Sequence, residues 1–309
     1  MMQMLQSLTQ LALSILIILA PLQLLAQTRD TTPSTQPTPG CASCAEWNAP
    51  QQPFRIYGNT YYVGTHGLSA ILLTSKDGDV LIDAALPESA PRIIANIRAL
   101  GFRVEDIKLI LNSHAHFDHA GGIAALQRAS GARVAASPWS ARVLERGASI
   151  PGDPQYGVLS SYSPVPHVQV IADGETLYVG PLALTAHFTP GHTPGGTTWT
   201  WRSCDGNRCL DLMYADSQTP VSADGFSFTH SDTYPSALDD FAHSEAVLEH
   251  LPCDVLLTPH PGASRFWERV AAREQGAADA LVDSTACKQY AAASREQLAR
   301  RVAAETGKP

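Results

Sequence analysis

The chain has 309 residues, 44% hydrophobic and 16% charged, a balance that supports a large buried core and argues against disorder except at the ends. Its formal net charge is −8, its sequence pI is about 5.7, and no Lys/Arg cluster interrupts that field. A phosphate backbone would be repelled, which excludes nucleic acid as a natural partner and leaves small molecules open.

Residues 1–26 contain no charged side chain; Leu11 to Ala20 is an apolar block, Pro21 follows, and the segment closes on Leu24-Leu25-Ala26. These are the proportions of a secretory signal peptide without the usual basic start. A membrane anchor is the competing reading, but the apolar core is short and the next stretch is polar with no stop-transfer cluster. Cleavage near Ala26 is expected, with export to the periplasm and no membrane association afterwards. The Thr/Pro-rich run TRDTTPSTQPTPG lies in residues 27–46, expected to be a flexible mature N-terminus.

From Phe54 the pattern turns to strands. RIYGNTYYVG, SAILLTS and DVLIDA are short β-branched or aromatic runs separated by Gly or Asp, as in a meander. Ile93, Ile94, Ile97 and Leu100 give Glu88–Leu100 helical periodicity, and Gly101 ends it. A buried strand at 107–111, a helix over Gly121–Ser130 and a strand at 133–136 continue an α/β alternation. Gly147–His167 reads as a long surface loop. The scheme then repeats with VQVIADG, ETLYVG, LALTAHF, TTWTW and LDLMYA as strands, Ser236–Leu251 as a helix and DVLLT as a strand. Helices over Phe266–Glu274 and Ala277–Ala304 close the chain. The order fits an α/β fold in which two mixed β-sheets pack together with helices outside both, and the junction of the halves is a natural ligand site.

Six cysteines in an exported chain point to disulfides. Cys204 and Cys209 flank a turn-rich loop, where a bridge clips a hairpin; Cys253–Cys287 would tie the last helix to the strand at 254–258. Cys41 and Cys44 are the remaining pair, their pairing left open, close enough to bond only with some strain. A four-ligand structural zinc does not match these spacings.

The segment Ser113-His114-Ala115-His116-Phe117-Asp118-His119-Ala120-Gly121-Gly122 lies where a strand ends and a helix begins. Three imidazoles and a carboxylate in six residues suit zinc. His114 and His116, two apart on an extended segment, face one side, and Asp118 with His119 can address a neighbouring position. The two glycines are expected to let the backbone bend sharply there. His192 in TPGHTPGG and His260 in LLTPHPG each follow a strand and are bracketed by Pro and Gly, loops rigid enough to fix a ligand. All these candidates sit at carboxyl ends of strands, where open α/β sheets bind ligands. His66, His167, His187, His230, His243 and His250 read as structural or surface residues, although His187 is near His192 in sequence.

The motifs HAHFDHAGG, AHFTPGHTPG, YADS at 214–217 and LPCDVLLTPHPGAS at 251–264 resemble those of the metallo-β-lactamase superfamily, and within it subclass B3. The likeness runs from about Trp47 to the last helices, so a catalytic domain over 47–309 with the αβ/βα sandwich of that family is expected. The resemblance implies two Zn(2+) per chain, one held by His114, His116 and His192 and the other by Asp118, His119 and His260. It further implies opening of the β-lactam amide by a metal-bound hydroxide, with Asp118 as the catalytic carboxylate, and hence antibiotic resistance. Ser217 and Thr219 correspond to hydroxyls that bind the substrate carboxylate, and the loop around Gln155 and Tyr156 is a weaker candidate cover.

The fold also carries thioesterases of the glyoxalase II type and lactonases, which form the alternative reading. Glyoxalase II usually has a further His where Phe117 stands here. Asp216 occupies the place of a metal-bridging Asp in the wider superfamily, but the B3 pattern does not use it as a ligand. Subclass B1 has a Cys ligand and a nearby Lys here, against Ser217 and no Lys. The expected partner is a small-molecule β-lactam, and the expected state is a monomer.

Overall fold

The computed structural model describes residues 41–307. The expected signal peptide and residues 27–40 of the expected flexible N-terminus lie outside the described residues. Residues 41–46 of that stretch belong to the folded body: a turn leads into helix α1 (Cys44–Trp47), and Cys44 is buried.

Short apolar runs with turn residues between them build the first half. Strands β1 (Phe54–Tyr57), β2 (Thr60–Tyr62), β3 (Ile71–Leu73) and β4 (Asp79–Ile82) form the expected antiparallel meander. RIYGNTYYVG is thus two strands, folded back at Gly58-Asn59. After helix α2 (Ala90–Ala99), strand β5 (Ile107–Leu111) pairs parallel with β4. The one-turn helix α3 (Phe117–Ala120), helix α4 (Ile123–Ser130), strand β6 (Arg133–Ala136), helix α5 (Pro138–Arg146) and strand β7 (Val168–Val170) complete a seven-stranded sheet in sequential order. Strands β8 (Thr176–Val179), β9 (Leu182–Phe188), β10 (Thr197–Asp205) and β11 (Arg208–Tyr214) are antiparallel neighbours. Helix α6 (Ala237–His250) then returns the chain to β12 (Val255–Leu257), which joins β11 in parallel to finish a five-stranded sheet. Helices α7 (Phe266–Glu274) and α8 (Ala286–Thr306) follow.

Alternation in the strands assigns the layers. Ile71, Leu73, Val80, Ile82, Leu109 and Leu111 point into a core shared with Leu184, Trp199, Leu212, Tyr214 and Val255 of the second sheet. The residues between them, Leu72, Leu81 and Ile110, face the other way and pack under α2 and α4 with Ile93, Ile97, Ile123 and Leu126. On the outside of the second sheet, Met213 and Leu256 meet Leu248, Cys287 and Ala291 from α6 and α8. The result is the αβ/βα sandwich expected from the order of elements.

Two helices differ from the sequence reading. The sequence reading places no element at 138–146, yet α5 forms there: the Ser137 hydroxyl accepts from the Ser140 amide, Pro138 stands in the first turn, and Gly147 closes the helix at φ 70°. The last helix starts at Ala286, not Ala277. Leu281 is buried in the inter-sheet core, the Asp283 amide donates to the Asp254 carbonyl (2.8 Å), and the Asp283 carboxylate accepts from the Thr285 amide (2.9 Å). Burial and pairing of this stretch outweigh its alanine-rich helix propensity.

The structure bridges Cys41–Cys44, Cys204–Cys209 and Cys253–Cys287. The first pair has Cα atoms 5.4 Å apart, an ordinary separation for a bridge. Among the described residues no helix is long and apolar enough to cross a membrane.

Candidate metal centre

Strands β4 and β5 run parallel, so their carboxyl ends emerge side by side. Asp83, just past β4, holds a positive φ of 59°, which an L-residue adopts at a cost and which persists only where its surroundings enforce it. Here they do. Its Oδ1 accepts from the Ser113 amide (2.8 Å) and Asn112 Nδ2 (3.1 Å), and its Oδ2 from Ser113 Oγ (2.6 Å) and Tyr214 Oη (2.9 Å). Burial pushes Asp83 up to about 6 in spite of those donors and the nearby His119.

The carbonyls that follow are all fastened, two by β10, one within the segment itself and one by the 147–167 loop. Asn112 O accepts from Trp199 Nε1 (3.0 Å), Ser113 O from the Thr197 amide (2.8 Å), His114 O from Asn112 Nδ2 (2.8 Å), and Ala115 O from Tyr162 Oη (2.7 Å). The histidine segment is therefore held by both sheets and by the 147–167 loop before any side chain is considered. Gly121 and Gly122 have ordinary helical φ values of −56° and −82°, so the backbone does not bend there as expected. Their role is close approach: a Cβ on Gly121 would lie 2.3 Å from Phe117 O, and one on Gly122 2.3 Å from Ala84 O.

His114, His116 and His192 converge into one buried set, and Asp118, His119 and His260 into a second; within each set the ligand atoms lie within 4.8 Å of one another. The sets adjoin, with the His114 and His119 rings 4.4 Å apart. In the first set every outward nitrogen has an acceptor. His114 Nδ1 faces Asp216 Oδ1 (2.7 Å), His116 Nε2 faces both oxygens of Asp153 (3.0 and 3.2 Å), and His192 Nδ1 faces the Thr219 carbonyl (2.8 Å). Nε2 of His114, Nδ1 of His116 and Nε2 of His192 are left for a shared partner. His114 Nε2 is buried with no hydrogen-bond partner among the described residues, a cost a protein does not carry without compensation.

In the second set, Asp118 Oδ2 is 3.3 Å from Nε2 of His119 and 3.3 Å from Nε2 of His260. Zinc bonds of about 2.0–2.1 Å in a tetrahedron place neighbouring ligand atoms about 3.3–3.4 Å apart, so these spacings fit that ion. His260 is the least buried of the six, its side chain 33% exposed, so this side opens to solvent. Its loop is pinned by Thr258 Oγ1 donating to His260 O (2.7 Å) and Ser69 Oγ to Thr258 O (2.7 Å).

Protonation agrees with metal binding. Burial, with like charge from neighbouring histidines, holds His114 well below its usual value and His192 at about 3. Burial opposes the charged forms of His116 and Asp118 too, but Asp153 raises the former and His119 with His260 carries the latter well below the carboxylate range. His114, His192 and Asp118 are thus in the deprotonated form that binds metal, and His116 would release a proton on binding.

All six expected ligands come together. Asp216 does not join either set: it is fully buried on the outer side of His114, and burial pushes it up to about 7. Ser217 is buried beside it. Thr219 turns its carbonyl, and its hydroxyl at 3.3 Å, toward His192. His187 lies apart, bonded to Thr200 Oγ1 (2.9 Å). Tyr156 is half exposed on the 147–167 loop. Two participants escaped the sequence reading, Asp83 and Asp153. An Asp flanked by Gly152 and Pro154 signals a turn, and nothing in its spacing connects it to His116.

A sequence model of the metallo-beta-lactamase superfamily matches residues 63–265. The chain is similar to the solved Rm3 metallo-beta-lactamase, at 58% identity and a TM-score of 0.85 over 87% of this chain and 100% of that one. It is also similar to MEM-A1, a subclass B3 metallo-beta-lactamase from a soil metagenome library, at 49% identity and a TM-score of 0.83 over 84% and 99% of the two chains. Among curated proteins, an N-acyl homoserine lactonase of Bacillus cereus is 27% identical over 152 residues, 40% of this chain and 54% of the lactonase. The chain spans 54–61% of the length of the first curated relatives it matches.

Proposed function

The chain belongs to the metallo-β-lactamase superfamily, and we propose that it is a zinc-dependent β-lactamase of subclass B3, hydrolysing the amide of β-lactam antibiotics with two zinc ions per chain. The observation that carries this reading is the position of Asp216. Its Oδ1 is committed to the far nitrogen of His114, so the two sets of three remain separate and no carboxylate among the described residues bridges them. That arrangement fits the B3 pattern rather than the bridged centre of the thioesterase branch.

Zinc bound by these residues supplies a water of lowered pKa and a Lewis acid for the carbonyl. His114, His116 and His192 fix one position in the floor of the site, and Asp118, His119 and His260 fix the other on its open side. Asp118, held as a carboxylate, is placed to take the proton of the attacking water. It can return that proton to the lactam nitrogen as the carbon–nitrogen bond breaks. Ser217 and Thr219 offer hydroxyls to the substrate carboxylate. Because the nucleophile is water, no side chain of the protein is acylated.

The second reading, a lactonase, is favoured by the similarity to the Bacillus cereus enzyme. Ring opening measured on a panel of β-lactams, lactones and thioesters with added zinc separates the two. Activity confined to lactones or thioesters overturns the β-lactamase reading, and full β-lactam turnover after exhaustive chelation overturns its zinc dependence. The proposal includes export through residues 1–26 to the periplasm, a setting that the three disulfides suit. It takes the enzyme to act there as a monomer on a small-molecule substrate.

A further inference from the structure

We infer that Asp153 is a positioning residue for the first metal: the 147–167 loop delivers its carboxylate to Nε2 of His116 and thereby selects Nδ1 of that ring as the ligand atom. The inference rests on reading His114, His116 and His192 as a zinc site.

An imidazole offers either nitrogen to a metal, and the partner of the other nitrogen decides which. His114 and His192 present Nε2 because their Nδ1 atoms face Asp216 and the Thr219 carbonyl. His116 is the reverse: its Nε2 lies 3.0 and 3.2 Å from the two Asp153 oxygens. An ionised carboxylate only accepts, so Nε2 carries the proton and Nδ1 keeps its lone pair for the metal. His114 and His116, two residues apart in the chain, can then converge on a single ion although their rings leave the backbone at different places.

The carboxylate is held where this requires it. Its side chain is only 2% exposed, Oδ1 also accepts from the Gln155 amide (2.8 Å), and the Asp153 amide donates to Ile150 O (3.1 Å). The same loop grips the histidine segment a second time through Tyr162 Oη and Ala115 O, and the Ala223 amide ties Pro154 O to the 215–235 segment (2.9 Å). Asp153 therefore cannot follow the ring away, and the loop that displays Tyr156 at the surface is the one that sets the geometry of the buried site. Removing the carboxylate takes away both the tautomer lock and a nearby negative charge that favours a dication.

The test uses the full chain loaded with zinc. Wild type, Asp153→Ala and Asp153→Asn are titrated with a chromophoric chelator, and the absorption spectra of their cobalt(II) forms are compared. One of the two metals should be lost at 10–100-fold weaker chelation from Asp153→Ala, the range found for partners of metal-bound histidines. Asp153→Asn keeps an acceptor for Nε2 and for the Gln155 amide, so it should recover part of that loss. The cobalt spectrum should change in both variants. Unaltered zinc retention with an unaltered spectrum overturns the inference. Should Asp153→Ala fail to fold, Asp153→Asn decides alone by the same two readouts. A wild-type chain that holds no zinc in the parallel titration overturns the metal-site reading itself, a result the variants do not mimic.

Discussion

Nδ1 of His192 lies 2.8 Å from the carbonyl oxygen of Thr219, and the Thr219 hydroxyl lies 3.3 Å from the same nitrogen. A residue expected to contact substrate thus orients a proposed metal ligand through its main chain. Thr219→Ala keeps the carbonyl and should retain its zinc. Ser217→Ala with Thr219→Ala should raise KM for carboxylate-bearing β-lactams more than it lowers kcat, because hydroxyl contacts to a carboxylate act in ground and transition states alike. Each hydroxyl is worth about 1–2 kcal/mol in a partly dry site. Wild-type KM in the double variant would exclude these two hydroxyls from substrate binding.

The separation of the six ligands into two sets predicts that they can be emptied one at a time. His116→Ala should lose the buried metal and His260→Ala the metal on the open side, each falling from two zinc ions to about one after dialysis. Elemental analysis of wild type and both variants checks this. A wild-type content fixed near one at saturating zinc would refute the two-metal reading.

Gly122→Ala places a methyl group 2.3 Å from the Ala84 carbonyl, in the stretch where the Ala84 amide donates to His119 O (2.8 Å). Neither backbone can yield without moving His119. The variant should lose about 1–3 kcal/mol of stability, as overpacked cores do, and bind the second zinc more weakly. Denaturant unfolding of the metal-free protein reads the first effect and chelator titration the second. A variant matching wild type in both would show that the approach is looser than these distances.

Near the end of α8, Glu305 accepts from the Phe228 amide (3.0 Å), the Thr229 amide (2.9 Å), Ser227 Oγ (2.8 Å) and Arg301 Nε (2.6 Å). Burial alone raises its pKa, but these donors outweigh it and hold the carboxyl at about 2. The folded state therefore binds this proton less readily than the unfolded chain. The stability it adds is fully present above about pH 4.5 and is lost as pH falls toward 2. Discounted for solvent screening it amounts to about 1–2 kcal/mol. Glu305→Gln should be less stable than wild type by that margin at pH 7, and the gap should shrink below about pH 4.5 and close only as pH falls past about 2. A gap that does not shrink on acidification would assign the effect to packing.

The amino-acid sequence by itself determined the layers and most of the ligand set. Continuous apolar runs such as Ile71–Leu73 and Leu109–Leu111 mean strands covered on both sides. Three histidines and an aspartate packed into HAHFDH announce a metal because their clustering is costly otherwise. Local propensity places the start of α8 too early because 277–285 is rich in alanine, and only the buried position of Leu281 and the Asp283–Asp254 contact override it. Tertiary structure alone decided which nitrogen each histidine turns inward, since that depends on Asp153, Asp216 and Thr219, residues remote from the motif in the chain. It also decided that Gly121 and Gly122 serve close approach and that Asp83, across a parallel strand pair, anchors Ser113. Spacing along a strand or helix is a local property that periodicity exposes. The partner of a ring nitrogen is fixed by where two distant loops meet, and no local pattern encodes that meeting.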